Sequence, residues 1–227
     1  MLDIIHIDPW KSLGFEDSIQ YTVDLMERCS NINNRCLFEI GTEEAIFPMT
    51  TEMLEELIRK VKELSSHYPK IIYAVIQSGT SLKSGINTGN YDRNRLIKMI
   101  KICSDNGLLS KEHNGDYLEP KQMKEKFELG LSAINIAPEV AHIETELILD
   151  RLSPKKKQMW FALCLEQGSW KKWFPENYDP DANKYEVIRL CGHYVLSRPE
   201  FKKIYDISQV SEDVIKDVKN FIKKRVP

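Results

Sequence analysis

Between Ile4 and Leu152 a short strand-like stretch gives way to a helix-like stretch five times in succession. Nothing else in the chain restricts its fold as much. Strands separated by helices pair in parallel, because each return to the sheet needs a crossover connection. The first unit is a strand at Ile4–Asp8 followed by a helix over Glu16–Cys29, where Ile19, Val23 and Met26 form an apolar stripe. The second is Cys36–Glu43 with a helix over Thr51–His67, Thr51 as N-cap and Leu54, Leu57, Ile58, Val61 and Leu64 as its buried stripe. The third is Ile71–Gln77, a Gly-rich loop and a helix over Arg93–Asp105. The fourth is Leu108–Glu112 with a helix over Pro120–Leu129, and the fifth is Ala133–Ala137 with a helix over Glu139–Leu152.

Alternation within the strands separates two faces, since successive side chains point to opposite sides. Ile5 and Ile7 oppose His6 and Asp8. Phe38 and Ile40 oppose Glu39, Gly41 and Glu43. Ile72, Ala74 and Ile76 oppose Tyr73 and Gln77, and Ile134 and Ile136 oppose Asn135. The fourth strand is ambiguous. A sheet covered by helices on both faces has strands that are apolar throughout. One consistently polar face fits a barrel interior, with catalytic groups where strands end and loops begin. The predicted fold is therefore α/β, a partial (β/α) TIM-type barrel of five parallel strands over residues 1–152. From Ser153 the grammar changes. Ser153-Pro154 opens a new helix, and further helices cover Lys184–Leu196 and Glu212–Arg225, making 153–227 a helical C-terminal extension.

The 227 residues are 42% hydrophobic and 29% charged, as in an ordinary globular protein. A net charge of −2 gives no reason to expect nucleic acid or an anionic membrane. No apolar run reaches the roughly 18 residues of a membrane span, and the N-terminus lacks signal-peptide character. Five scattered cysteines without a CxxC read as reduced buried thiols, which places the chain in the cytoplasm.

The candidate chemistry collects at strand ends. Glu43 could serve as general base, metal ligand or acceptor for a sugar hydroxyl, or be a solvated loop acid. Asp8 has the same choices, or caps the next element. His113, in Glu112-His113-Asn114-Gly115-Asp116, suits proton transfer or a divalent metal with an acid behind it, although no HExxH-type signature is present. Asn114 and Asp116 of that loop are candidate substrate contacts. His6 faces the same side but deeper, and reads as a hydrogen-bonded core histidine. His67, His142 and His193 lie on helices or at their ends. The loop Ser78–Gly89, opening Ser78-Gly79-Thr80, carries glycines, hydroxyls and Lys83. It could cradle a phosphate or be a plain surface loop, and it does not match GxxxxGK[ST]. Gln77 just before it is a candidate neutral hydrogen-bond donor. The basic runs Lys155–Lys157, Lys171-Lys172 and Lys223–Arg225 are solvated helix faces. Trp170, Trp173 and Phe174 form a hydrophobic anchor for the extension.

Taken in order, several of these segments resemble one family, the GatZ/KbaZ-like subunit of class II D-tagatose-1,6-bisphosphate aldolase. Ile5-His6-Ile7-Asp8 resembles its IHLD strand, Glu39-Ile40-Gly41-Thr42-Glu43 its VIGTE strand and Val75-Ile76-Gln77-Ser78-Gly79 its VVQPG segment. Glu112-His113-Asn114-Gly115-Asp116-Tyr117 is similar to EAHSTDY, the run from Ile136 through Pro138 to VGPAL, and Trp170-Lys171-Lys172 to WKK. The resemblance implies strands 4–8 of a (β/α) barrel with a helical tail, in carbohydrate metabolism. The family's Z-type subunit is regarded as non-catalytic and as supporting a separate catalytic subunit. Two departures stand out. Gln-Pro-Gly becomes Gln77-Ser78-Gly79, with Thr80-Ser81-Leu82 in place of Val-Glu-Phe. The family's first three strands, with a Gly-Gly-Asp-His end similar to the catalytic Asp and a zinc-binding His of class II aldolases, have no counterpart, so no residue here inherits those roles.

The expected function is thus a supporting subunit of a sugar-bisphosphate aldolase. Its partner would be the catalytic aldolase subunit, or a second copy joined through open barrel edges. The alternative is a metal-dependent lyase or isomerase/epimerase acting on a sugar or sugar phosphate. In that case Glu43, His113 and Asp8 are catalytic, and Gln77, Ser78, Gly79, Thr80, Asn114 and Asp116 touch substrate. A divalent metal such as zinc, with His113 as ligand, is the candidate cofactor. A third expectation is a truncated product or mis-assigned start, since five strands of an open barrel leave two unpaired edges.

Overall fold

A computed structural model describes residues 3–206 and 212–225. In chain order its strands are β1 (Ile4–Ile7), β2 (Leu37–Ile40), β3 (Ile71–Ile76), β4 (Leu82–Lys83), β5 (Ile86–Asn87), β6 (Leu109–Glu112) and β7 (Ala133–Ile134). The order β1-β2-β3-β6-β7 forms one sheet with every neighbouring pair parallel, while β4 and β5 make a separate antiparallel hairpin. The helices are α1 (Phe15–Ile32), α2 (Thr51–Leu64), α3 (Arg93–Asp105), α4 (Pro120–Glu128), α5 (Pro138–Asp150), α6 (Pro154–Gln167), α7 (Lys184–Cys191) and α8 (Glu212–Arg225).

Strand order in the large sheet follows chain order without reversal. A doubly wound sheet reverses at a switch point, which sends helices to both faces. Here α1, α2 and α3 pack on one face, and their buried stripes meet Ile7, Phe38, Ile40, Ala74 and Ile76 in a single core. This is the arrangement of consecutive units of a (β/α) barrel. Leu54, Leu57, Ile58 and Val61 of α2 are fully buried, each contributing roughly 1.5–3 kcal/mol relative to exposure.

Four details of the sequence reading change. The N-cap of α2 is Thr50 rather than Thr51, because Thr50 is extended and its Oγ1 accepts from the Met53 N–H, whereas Thr51 Oγ1 donates to Glu52. A register shift between Phe38 and Glu39 pairs Phe38 with Ile71 and Glu39 with Tyr73, so Ile71 joins the core instead of Ile72. The β4–β5 hairpin has no apolar alternation to announce it, being only two residues a side. The helix read over Lys184–Leu196 stops at Cys191 and continues as a 3₁₀ segment, Gly192–Val195, with Gly192 at the junction.

The chain divides into two compact units. The first comprises Met1–Ser81, Thr88–Gly115 and Lys121–Asn135, and the second Leu82–Asn87, Asp116–Pro120 and Ile136–Pro227. The second unit therefore starts before the change of grammar at Ser153, because α5 packs with α7 and α8. Its core gathers Ile148, Leu149, Trp160, Phe161, Val187, Val195 and Phe201, with Trp170 and Phe174 packed against it. Gly192 is required there, since a Cβ would come within 2.7 Å of Trp160. No helix among the described residues is long and apolar enough to cross a membrane.

Candidate functional site

In the first unit the register sets His6 opposite Glu39, Glu39 opposite Tyr73, and Val75 opposite Lys111. This is the face turned away from the helices. Parallel pairing puts the C-terminal ends of all five strands along one edge, where Asp8, Glu43, Gln77 and His113 follow β1, β2, β3 and β6.

Glu39 is the centre of the polar face. Its side chain is 2% exposed. His113 Nε2 donates to Glu39 Oε1 at 2.6 Å, and Lys111 Nζ donates to Oε2 at 2.5 Å. His6 Nε2 lies 3.9 Å from the same Oε1 and 3.0 Å from the Gly41 carbonyl. The two imidazoles meet edge-on with centroids 4.8 Å apart. Burial pushes the Glu39 carboxyl up, but the hydrogen bonds from His113 and Lys111 outweigh it and hold it below the usual carboxylate range. Burial lowers the His6 pKa, with Glu39 opposing and His113 assisting the shift. Burial thus favours the uncharged form of the His6 ring beside the Glu39 carboxylate.

One donor atom from each of His6, Glu39 and His113 lies within 4.8 Å of the others. Two imidazoles and a carboxylate suit zinc and similar divalent ions. The site is assembled across β1, β2 and the end of β6. Ligation through His6 Nε2 would move its proton to Nδ1 and give up the Gly41 bond. That exchange is open to a neutral ring, so the donor set fits a cation.

The remaining sequence candidates separate. Glu43 stands at the rim, where Asn114 Nδ2 donates to its Oε2 at 2.6 Å; Asn114 sits at φ +59°, a conformation asparagine tolerates better than most residues. Asp8 is near enough to His6 for its charge to act on the ring, and its Oδ1 is buried without a protein partner among the described residues. Gln77 is not brought to the cluster. Its Nε2 donates to the Thr42 and Phe47 carbonyls, and its Oε1 accepts from the Met49 N–H and Arg95, so the amide is a brace for the β2–α2 loop. Thr80 Oγ1 donates to the His113 carbonyl at 2.7 Å. Gly79 (φ +92°) lets the loop stem close, since a Cβ there would come within 2.0 Å of the Asn90 carbonyl. Asp116 belongs to the second unit, where Oδ1 accepts from the Ala137 and Glu139 N–H groups and caps α5.

Ser78 belongs to a network on the helix side of β6. Glu112 Oε1 accepts from the Ser78 N–H and Oγ at 2.8 and 2.6 Å. Lys126 Nζ donates to Glu112 Oε2 and Ser78 Oγ, both at 2.6 Å, and lies 4.5 Å from the Tyr91 ring centre. Both charged side chains are 0% exposed. Ser78 therefore ties β3 to β6 and α4.

Sequence reasoning missed Glu39, Lys111 and the ligating potential of His6. Glu39 had been placed on the polar face, and the only further signal was the register that sets it opposite His6. A cleft of about 400 Å³ at the N-termini of α2 and α3 holds Arg95 and Lys98. Arg95 is committed to Glu44, the Met49 carbonyl and Gln77, and Thr50 and Asp92 already cap the helix N–H groups, so the cleft offers no anion cradle.

Comparison with known proteins bears on this geometry through the fold alone. No protein-family model and no curated protein sequence matches the chain. Among solved structures it is similar to a probable tagatose 6 phosphate kinase from Sinorhizobium meliloti, with a TM-score of 0.69 at 17% identity over 96% of this chain and 64% of that one. It is also similar to the fructuronate-tagaturonate epimerase UxaE from Cohnella laeviribosi in its glycerol complex, with a TM-score of 0.67 at 15% identity over 95% of this chain and 50% of that one. The chain thus spans between half and two thirds of the length of these neighbours.

Proposed function

We propose that this chain is a carbohydrate-metabolism protein in which His6, Glu39 and His113 hold a divalent cation, and that it acts as a metal-dependent lyase or isomerase/epimerase on a sugar or sugar phosphate. The observation carrying this reading is the convergence of those three donors at the C-terminal edge of the sheet, where barrel enzymes place their chemistry. When bound, such an ion polarises a carbonyl or hydroxyl oxygen of the substrate. The chain's own groups supply the rest. His6, whose uncharged form burial favours, is suited to ligate through a ring nitrogen. Glu39, ionised and fixed on both oxygens, anchors the set. Glu43, oriented by Asn114, is the candidate proton-transfer group at the rim, and Asp8 is a second carboxylate beside His6. The names of the two structural neighbours, a sugar-phosphate kinase and a sugar-acid epimerase, support a hydroxylated, ketose-like substrate class. The five free cysteines fit a reducing cytoplasmic setting.

Metal analysis of the purified protein is the test. A stoichiometric divalent metal, lost in both His113→Ala and Glu39→Gln, supports the reading. A folded protein that takes up neither zinc, manganese nor cobalt would end it.

A second reading, the supporting subunit of an aldolase of the GatZ/KbaZ type, is favoured by the sheet edges. Among the described residues β1 and β7 each pair on one side only, and unpaired edges recruit other chains. Co-purification with a catalytic aldolase subunit checks it; a monomer with no effect on that subunit's stability counts against it.

A further inference from the structure

The cation site contains a competitor for its own carboxylate. Lys111 and His113 leave the same side of β6, two residues apart, and reach opposite oxygens of Glu39. The Lys111 ammonium lies 2.5 Å from Oε2 and 5.5 Å from the centre of the Tyr73 ring, with the side chain 19% exposed. Oε1 is left to the histidines, 2.6 Å from His113 and 3.9 Å from His6. The carboxylate therefore offers one oxygen to a cation and spends the other on a fixed positive charge.

We infer that Lys111 is a positioning residue that restricts Glu39 to a single ligating oxygen and, through its charge, holds the cation's affinity down. This rests on the metal reading above and deepens it. Two consequences follow from elementary electrostatics. A unit charge a few ångströms from a divalent ion, in a site that water partly reaches, lowers affinity by about tenfold or more. A carboxylate engaged through one oxygen also leaves coordination positions for substrate oxygens, whereas a chelating carboxylate would fill them. The contrast with Lys126 is instructive: that lysine is sealed between Glu112, Ser78 and Tyr91, while Lys111 stands at a partly open face where its partner can be shared.

The experiment is a cobalt(II) titration of the full chain, followed by equilibrium dialysis and by the visible absorption of the bound ion. Lys111→Met should bind cobalt at least about tenfold more tightly than the wild type, with altered absorption bands because the second Glu39 oxygen is released. Lys111→Arg keeps the charge and should match the wild type in affinity and spectrum. Lys111→Gln replaces the methionine variant if that one fails to fold. Neutral variants with wild-type affinity and spectrum, or with weaker binding, overturn the inference while the metal reading stands. Absence of cobalt binding in the wild type and every variant overturns the metal reading itself, and this inference with it.

Discussion

Strand β6 carries two carboxylate–lysine pairs on its opposite sides, and they are built for different ends. On the helix side Glu112 and Lys126 are fully buried, and the ion pair is completed by Ser78 and the face of Tyr91. On the other side Glu39 is as deeply buried, but its partners Lys111 and His113 are 19% and 12% exposed, and a second imidazole waits 3.9 Å away. A dry pair with every position filled cannot exchange partners. A pair with a wet flank and spare nitrogen donors can. On the proposed reading, stability rests on one cluster and ligand binding on the other, and each half of that reading can be broken separately.

The largest effect belongs to the dry side. Lys126→Met leaves Glu112 charged, buried and without its countercharge, and should destabilise the first unit by about 3–5 kcal/mol, read as an earlier urea transition. The double variant Lys126→Met/Glu112→Leu should recover much of that loss, because removing both charges removes the desolvation cost as well. Cobalt affinity of whatever remains folded should be unchanged. A Lys126→Met protein as stable as wild type would remove the distinction between the two pairs.

A buried imidazole in the second unit sharpens the same contrast. His142 Nε2 donates to the Leu190 carbonyl and its Nδ1 accepts from the Tyr117 hydroxyl, so both ring nitrogens are committed. Burial, helped by neighbouring His193, pushes its pKa down to about 4. The sign follows. The unfolded chain takes up a proton below the ordinary value of 6.5 that the folded ring refuses, so stability is fully present above pH 6.5 and is lost as pH falls towards about 4. The loss approaches about 3 kcal/mol for this one residue. His142→Gln should make the loss of thermal stability across that window shallower, with the remainder carried by His193, whose pKa burial also lowers to about 4. An unchanged acid slope would mean that other groups carry it.

These contrasts show what was readable in advance. The parallel pairing of the large sheet came from strands alternating with helices, and its polar face from period-two alternation at His6, Glu39 and Tyr73, because a side chain's face depends on chain parity alone. The rim positions of Asp8, Glu43 and His113 came from the predicted strand ends, because parallel strands share one C-terminal edge. The partners of Gln77 and Asp116 were not legible. An amide at a strand end looks alike whether it meets a ligand or the Thr42, Phe47 and Met49 backbone, and an acid after His113 looks alike whether it binds substrate or caps α5. Lys126 was hidden because one lysine in the polar-looking stretch Lys121–Glu128 gives no sign that it turns inward. Glu39 needed register as well as parity, since only pairing between strands sets it against His6.

On the wet side, His113→Ala should cost little stability but reduce cobalt affinity by at least the roughly 10–100-fold that loss of even an outer-shell partner produces. Glu112→Gln, one residue earlier, should do the reverse. If both substitutions damaged stability and affinity alike, β6 would be a single coupled network and not two.

The smallest expected effect tests where the ion site ends. Asn114 orients Glu43 at the rim from a left-handed backbone position, while Glu43 itself lies outside the three-donor cluster. Asn114→Gly keeps the backbone conformation and removes only the amide, so cobalt affinity and spectrum should be unchanged and stability should fall by no more than about 1 kcal/mol. Asn114→Ala adds the left-handed penalty, roughly another 1 kcal/mol, again with cobalt unaffected. A cobalt affinity that tracked either variant would make Glu43 a ligand, and the wet cluster would then extend from β1 to the β2 rim as one site.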